Sequence, residues 1–239
     1  MANRSLSFRD AVNEIERALG VDLRLDNPSP RKPTNVNKLT TAARFDGLPY
    51  YMSREESGRA YEAARALNGA SDQIERISVW RGLRPETIRS LILDCALGIE
   101  GNNLAFLFET GMKLRPIGAS SKQSRWAFGK PFLWRVWPLV DRNLSGCVQT
   151  IHLTEGEFDC VRLVECGFEA EDLSEIVVAI PGANCFRPEW ANLFHGKTVF
   201  LWLDDDSAGH RSTQRIGVLL HEAGVHVMEW NLTAAIEAV

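Results

Sequence analysis

Three carboxylates stand where two apolar runs stop. Glu155 closes the stretch IHLTEG, and Asp204 and Asp206 close VFLWLDDDSAG. Carboxylates are hard oxygen ligands, and acids crowded together resist joint ionisation unless a cation is held between them. Both runs belong to one alternating strand and helix pattern, and parallel strands deliver their C-terminal residues to a single edge, where open α/β sheets bind ligands. Glu155 is therefore expected beside the two aspartates although the three are far apart in sequence. In an extended segment Asp204 and Asp206 share one side and Asp205 points to the other. Asp159 lies four residues past Glu155, in the first turn of the next helix, close enough to act as a further ligand. It reads equally well as a helix N-terminal acid favoured by the dipole. The chemistry implied is a divalent cation, Mg2+ or Mn2+, working on a phosphate-bearing substrate.

The elements that must position these acids fill the last third of the chain. The apolar runs QTIHL, IVVAI, TVFLWL and VHVME alternate with FDCVRLVECG, RPEWANLF and HRSTQRIGVLLHEAG, which read as helices. This is the pattern of a parallel sheet with crossover helices. Ile216, Leu219 and Leu220 form the inward stripe of the last helix. Ala208 and Gly209 allow a close turn into that helix, whose first amides face an anion. Gly182 of IPGAN serves a turn near the site. His210 and Arg211 come next to Gly209, within reach of a phosphate. His152, His195, His210, His221 and His226 show no metal spacing and read as packed or surface residues. GKT at Gly196 to Thr198 is no phosphate loop, because position 191 is alanine where a glycine is required.

Upstream, Phe8, Val12, Ile15 and Leu19 recur at helical spacing up to Gly20, and DNPSPRKPTNVN suits a linker. Ser53 with Glu56 is a capping box; Ser71 is placed to cap QIERISVW; Pro85 opens a helix expected to end at Gly98. LAFLFE, the turn Thr110 and Gly111, and MKLRPIG read as a β-hairpin. From Thr110 to Val140 there are six basic residues and no acidic one: Lys113, Arg115, Lys122, Arg125, Lys130 and Arg135. Trp126, Trp134 and Trp137 are interleaved with them. Such rings stack bases while the cations hold phosphates, or else they pack the domain and the charges face solvent. Expected boundaries are residues 1–70 as a helical region with the linker, 71–147 as an α+β basic subdomain, and 148–239 as the α/β domain.

At 239 residues, 45% hydrophobic and 24% charged, the chain is long enough for one large domain or two small ones. The longest apolar stretches are strand-length, so neither a membrane span nor a secretory leader is expected, and a cytoplasmic location is the default. Five cysteines without a CxxC pair argue against a disulfide framework and a zinc ribbon. Net charge is −4 and the pI about 5.8, so the basic stretch stands against an acidic background.

TEGEFDCVRLVECG, IPGAN and VFLWLDDDSAG together resemble the Toprim domain of bacterial-type primases, type IA and type II topoisomerases and several nucleases. Glu155, Gly156, Asp159, Asp204, Asp206 and Gly209 match its motifs position by position, over roughly His152 to Trp230. AFGKPFLW, at Ala127 to Trp134, is similar to a segment of phage helicase-primases just before the first Toprim strand. The resemblance implies a Rossmann-like parallel sheet with flanking helices, preceded by a smaller α+β basic domain. It implies that Glu155, Asp204 and Asp206 are catalytic, and that they hold Mg2+ or Mn2+ with Asp159. Lys113, Arg115, Lys122, Arg125 and Lys130 are then the nucleic-acid and nucleotide contacts, Lys122 and Lys130 corresponding to lysines that face template and nucleotide. The function implied is that of a primase-like nucleotidyltransferase making RNA primers in DNA replication, from a phage or other mobile element. Single-stranded DNA template, nucleoside triphosphates and a separate helicase are the expected partners. Two alternatives stay open: a Toprim metal-dependent nuclease, and a non-catalytic nucleic-acid-binding accessory module.

Overall fold

A computed structural model describes residues 50–118, 123–182 and 184–229. The N-terminal helix and linker expected before residue 50, and Lys122, lie outside the described residues. The described chain falls into two compact units, one running through Asn143 and the other starting at Leu144. No helix among the described residues is long and apolar enough to cross a membrane.

The first unit opens on α1 (Arg54–Asn68) through the expected capping box. The Glu56 amide donates to Ser53 Oγ at 3.2 Å, and the Ser53 amide donates to Glu56 Oε2 at 2.8 Å. Two otherwise orphaned N–H groups are thus satisfied before the helix begins. Ser71 is the first residue of α2 (Ser71–Arg81) and not its cap, which is Ala70 with no side-chain bond. Pro85 does open α3 (Pro85–Leu93), but the helix stops well short of Gly98. The chain turns at Cys95, with φ of 55°, and Gly98 lies inside strand β1 (Leu97–Glu100). The reason is packing: a Cβ on Gly98 would stand 2.6 Å from the Ala63 carbonyl carbon and 2.7 Å from the Ala64 nitrogen of α1. The glycine admits a helix onto a strand and does not end one.

Strands β1, β2 (Asn103–Phe108), β3 (Gly111–Pro116) and β4 (Arg125–Gly129) form an antiparallel meander in that order. The hairpin around Thr110 and Gly111 is present, with Phe108 paired to Gly111. Ala60, Ala63 and Ala64 of α1 pack on Ala105, Leu107, Met112 and Leu114, small residues on the helix letting it sit close to the sheet. Trp134 is fully buried, set edge-on to Phe106 at 5.4 Å, and its indole donates to the Leu107 carbonyl at 3.0 Å.

A short helix, α4 (Trp137–Val140), closes this unit against the half-buried Glu109. The Trp137 amide donates to Glu109 Oε1 at 3.1 Å, and Glu109 Oε2 is buried with no hydrogen-bond partner. Burial pushes the Glu109 carboxyl up to about 7, although the Trp137 amide and Arg135 both favour its charged form.

The second unit carries β5 (Thr150–Thr154), α5 (Glu157–Glu165), β6 (Glu175–Ala179), a short 3-10 helix (Pro188–Phe194), β7 (Thr198–Trp202), α6 (Ser207–Glu222) and β8 (His226–Glu229). Its sheet is wholly parallel in the order β6-β5-β7-β8, one strand for each of the four apolar runs. Ile151, Leu153, Val177, Val199 and Leu201 are buried, as are Ile216 and Leu220 of the expected α6 stripe. RPEWANLF forms a 3-10 turn and not an α-helix, with Trp190, Ala191 and Phe194 buried. Lys197 donates from Nζ to the carbonyls of Ser145 and Val148, each at 2.7 Å, so GKT starts a strand and ties down the chain entering β5. His152 is a packed residue: Nδ1 accepts from the Trp202 indole at 2.9 Å, and Nε2 lies 2.6 Å from Glu175 Oε1. An indole only donates, so the imidazole is neutral with its proton on Nε2, in keeping with burial that lowers its pKa.

A proton-linked stability effect follows from Glu109. Its carboxyl holds a proton up to about 7 in the folded chain, against an ordinary value of 4.5, so the native state is favoured at low pH and loses that advantage as pH rises from about 4.5 through 7. Glu109→Gln, which cannot ionise, is expected to be more stable than the wild type at pH 8 by about 1–3 kcal/mol, with the gap closing toward pH 4.5. Urea unfolding at both pH values measures this; a gap independent of pH contradicts it.

Candidate functional site

Thr154 ends the central strand β5 and is paired with Ala179 on one side and Trp202 on the other. This register puts Glu155 and the residues after Trp202 at the same edge of the sheet. Glu155 is half-buried, and its Oε2 accepts a hydrogen bond from the Asp204 amide at 3.3 Å. The register thus sets the Glu155 side chain against the main chain of Asp204.

Asp206 is the N-cap of α6. Its Oδ1 accepts from the amides of Ala208 at 2.8 Å and Gly209 at 2.7 Å. Those two donors, Gly209 first, hold its carboxyl below the usual aspartate range, helped by the nearby Arg211 and His210 side chains. Asp205 Oδ1 lies 2.6 Å from His210 Nε2. His210 is thus engaged by the middle aspartate of the run. Asp159 sits in the first turn of α5, and a Cβ on Gly156 would stand 3.1 Å from its Oδ2. The absence of a side chain at 156 lets that carboxylate lie over the turn that follows Glu155.

Gly209 shows how tightly the edge is built. A Cβ there would be 1.8 Å from the Asp204 carbonyl oxygen and 2.7 Å from its carbonyl carbon. Helix α6 leaves the sheet so closely over Asp204 that only hydrogen fits. Arg215, further along α6, donates from Nη1 to the Phe186 carbonyl at 3.0 Å and so holds the loop after β6 against the same helix.

The acids do not close into a cage. Among the described residues no group of three His, Cys, Asp or Glu side chains is close enough to enclose a metal ion. Like charges on one edge are stabilised here by N–H donors: Glu155 by the Asp204 amide, Asp206 by two amides of α6. At Asp206 a single oxygen, Oδ1, takes both amides, so the cap does not draw on Oδ2. The donor set is all carboxylate oxygen, which fits a hard divalent cation such as Mg2+ or Mn2+. Glu155, Asp159, Asp204 and Asp206, the expected ligands, supply such oxygens, but no three of them are gathered into a metal-binding group here.

The basic residues of the first unit do not share one wall. Lys113 on β3 lies opposite Phe106 and Trp126 and is only 9% exposed. Arg115, two residues on, shares its face and is half-buried. Arg125 pairs with Leu114, on the face that α1 covers, and is itself exposed. Lys130, just after β4, is exposed and stands 5.9 Å from the centre of the Tyr50 ring. Arg135 is buried and pairs with Asp94 at 3.5 Å. Alternation along the strands divides cations that the sequence sets in one run. Of the three tryptophans, Trp134 is core, while Trp126 is half-buried against Phe108 at 4.8 Å and Trp137 is half-buried over Glu109. The glycine of AFGK has a packing role: a Cβ on Gly129 would stand 2.0 Å from the Thr110 carbonyl oxygen and 2.5 Å from Gly111 Cα. Lys130 and Thr110 then bond across this crossing, the Lys130 amide to the Thr110 carbonyl at 3.1 Å and Thr110 Oγ1 to the Lys130 carbonyl at 2.8 Å.

The capping role of Asp206 goes beyond the sequence reading, although an aspartate followed by small residues and an apolar-periodic run is an N-cap signal. The roles of Arg215 and Gly129 have no such signal, since each depends on a segment distant in sequence.

Residues 152–235 match a family model described as Toprim-like. A comparison with curated proteins gave no match. Among solved structures, the chain is similar to the zinc-binding and RNA polymerase domains of the Aquifex aeolicus primase, at 18% identity and a TM-score of 0.49, covering 78% of this chain and 59% of that one. It is also similar to the primase fragment of the bacteriophage T7 primase-helicase protein, at 17% identity and a TM-score of 0.39, covering 62% of this chain and 61% of that one. The chain thus spans about three fifths of the length of each.

The capping role of Asp206 and the expected metal-binding one are separable by substitution. Asp206→Asn keeps a capping oxygen and loses the charge, so it should lower the thermal midpoint less than Asp206→Ala does while weakening Mn2+ binding roughly tenfold; Asp206→Ala should lower both further. Calorimetry with Mn2+ alone and thermal unfolding decide it, and Mn2+ affinity unchanged in Asp206→Asn excludes the residue as a ligand. Gly209→Ala must push the Asp204 carbonyl aside. A loss of stability of about 1–3 kcal/mol in urea unfolding is expected, and an unperturbed midpoint contradicts the close approach.

Proposed function

We propose that this chain, whose residues 152–235 carry a Toprim-like domain, is a divalent-cation-dependent nucleotidyltransferase of the primase type. The observation that carries the reading is the contact between Glu155 Oε2 and the Asp204 amide, which joins two motif acids from separate strands at one sheet edge. A bound Mg2+ or Mn2+ would neutralise phosphate oxygens and favour in-line phosphoryl transfer. The chain's own residues supply the frame. The Asp204 amide orients Glu155, the first amides of α6 orient Asp206, and Gly209 lets that helix begin directly over Asp204.

Acids in this arrangement serve joining and cutting alike. Joining nucleotides uses a 3′-hydroxyl as nucleophile and a nucleoside triphosphate as electrophile; cutting uses water and a diester. The cationic content of residues 110–140 and the AFGKPFLW segment favour joining, because a polymerising core must hold a polyanionic template and a triphosphate together. Arg115, Arg125 and Lys130 keep exposed or half-exposed side chains and are the proposed contacts with single-stranded DNA template and nucleotide. Lys113, being buried, is proposed to support the sheet beneath Trp126 through its charge and stem. A helicase on a separate chain is the proposed further partner.

The test is incorporation of labelled ribonucleotides on single-stranded DNA with Mg2+ or Mn2+. Template-dependent product that Asp204→Ala abolishes, by at least about a hundredfold, is expected. Nicking without any triphosphate, lost in the same variant, replaces this reading by a nuclease. Metal-independent DNA binding unchanged in Glu155→Gln, with neither product, replaces it by a non-catalytic accessory module.

A further inference from the structure

We propose that Thr154 is a positioning residue of the acid site, its hydroxyl clamping the turn that carries Glu155 so that the carboxylate is aimed at Asp204. The inference rests on the metal-site reading above and adds to it a residue that is no ligand itself.

Thr154 is fully buried at the end of the central strand. Its backbone is already employed, the carbonyl accepting from the Ile180 amide at 2.9 Å. The hydroxyl makes a separate connection. Oγ1 donates to the Gly156 carbonyl at 3.1 Å and lies 3.4 Å from the Val178 carbonyl of β6. With one proton to give, the shorter contact is the bond and the longer one a weak second acceptor. The same Gly156 carbonyl accepts the first helical bond of α5, from the Cys160 amide at 3.1 Å. Gly156 is the N-cap of α5 and has no side chain with which to fix the helix entry. Thr154 supplies that fixing from the strand side, and Glu155 is the single residue enclosed between the two.

Glu155 needs such a clamp. Its contact with the Asp204 amide is 3.3 Å, near the long end for an N–H···O bond, so a small rotation of the turn opens it. The Asp159 carboxylate stands close to Gly156, which keeps a second negative charge beside the same turn. Without the hydroxyl bridge, repulsion between Glu155 and Asp159 has a softer backbone to act on. A donor at 154 thus decides where Glu155 points, although the Thr154 side chain faces away from solvent.

The experiment compares two pairs in which the hydroxyl is lost: wild type with Thr154→Val, and Thr154→Ser with Thr154→Ala. Mn2+ alone is titrated calorimetrically into the full-length chain, with thermal midpoints recorded in parallel. Affinity for Mn2+ about tenfold weaker in Val and Ala than in their hydroxyl-bearing counterparts, with Ser close to wild type whatever its stability, is expected. A purely structural role would make affinity follow the midpoints instead, and that result overturns the proposal, as does equal affinity within both pairs. If Thr154→Val fails to fold, the Ser and Ala pair decides between these outcomes. A wild-type chain that takes up no Mn2+ overturns the metal reading and the positioning role together, whereas normal uptake indifferent to the hydroxyl overturns the positioning role alone.

Discussion

Negative charge gathered at one edge of a parallel sheet is the constraint around which the C-terminal unit is arranged. Parallel pairing of β5 with β7 makes Glu155 and the Asp204 to Asp206 run neighbours whether or not their charges favour it. The unit answers with backbone N–H groups: one from Asp204 to Glu155, and two from the start of α6 to Asp206. The two donors of α6 act where that helix begins directly on the Asp204 carbonyl, and there Gly209 leaves room for nothing larger than hydrogen. Charge, helix capping and the close-fitting glycine therefore meet at one place in the fold.

The N-terminal unit is governed by a different closeness, that of backbone to backbone. Gly98 lets α1 lie on β1, and Gly129 with Gly111 lets the end of β4 cross the hairpin turn. In the second case the crossing is tied by two hydrogen bonds between Thr110 and Lys130. The consequence reaches the proposed nucleotide contacts, because Lys130 is anchored through its own backbone while its side chain stays exposed. In the turn of the same hairpin, Glu109 is held in a place that favours its protonated form.

Several features are legible in the residues alone. The capping box at Ser53 and Glu56, the hairpin at Thr110 and Gly111, and the four parallel strands all rest on short-range rules of spacing and composition. Ser71 and Gly98 mislead because each is a residue type suited to a helix end, whereas Ala70 caps α2 and Gly98 makes room for α1. The run of cations from Lys113 to Arg135 reads as one patch in sequence, but strand alternation and burial distribute it between two faces and the core.

The sequence by itself determined the identity of the acids, the two-residue spacing that separates Asp205 from Asp204 and Asp206, and the alternation of strand and helix that sends Glu155 to their edge. These are local or periodic properties, and the backbone geometry of strands and helices converts them directly into placement. Only the tertiary structure decided that Asp206 caps α6, that Thr154 bridges to Gly156, that His152 is a neutral packed ring and that Lys113 is buried. Each of those depends on which atom of a distant segment comes within hydrogen-bond or van der Waals range, and that distance is fixed by packing, not by the order of residues along the chain.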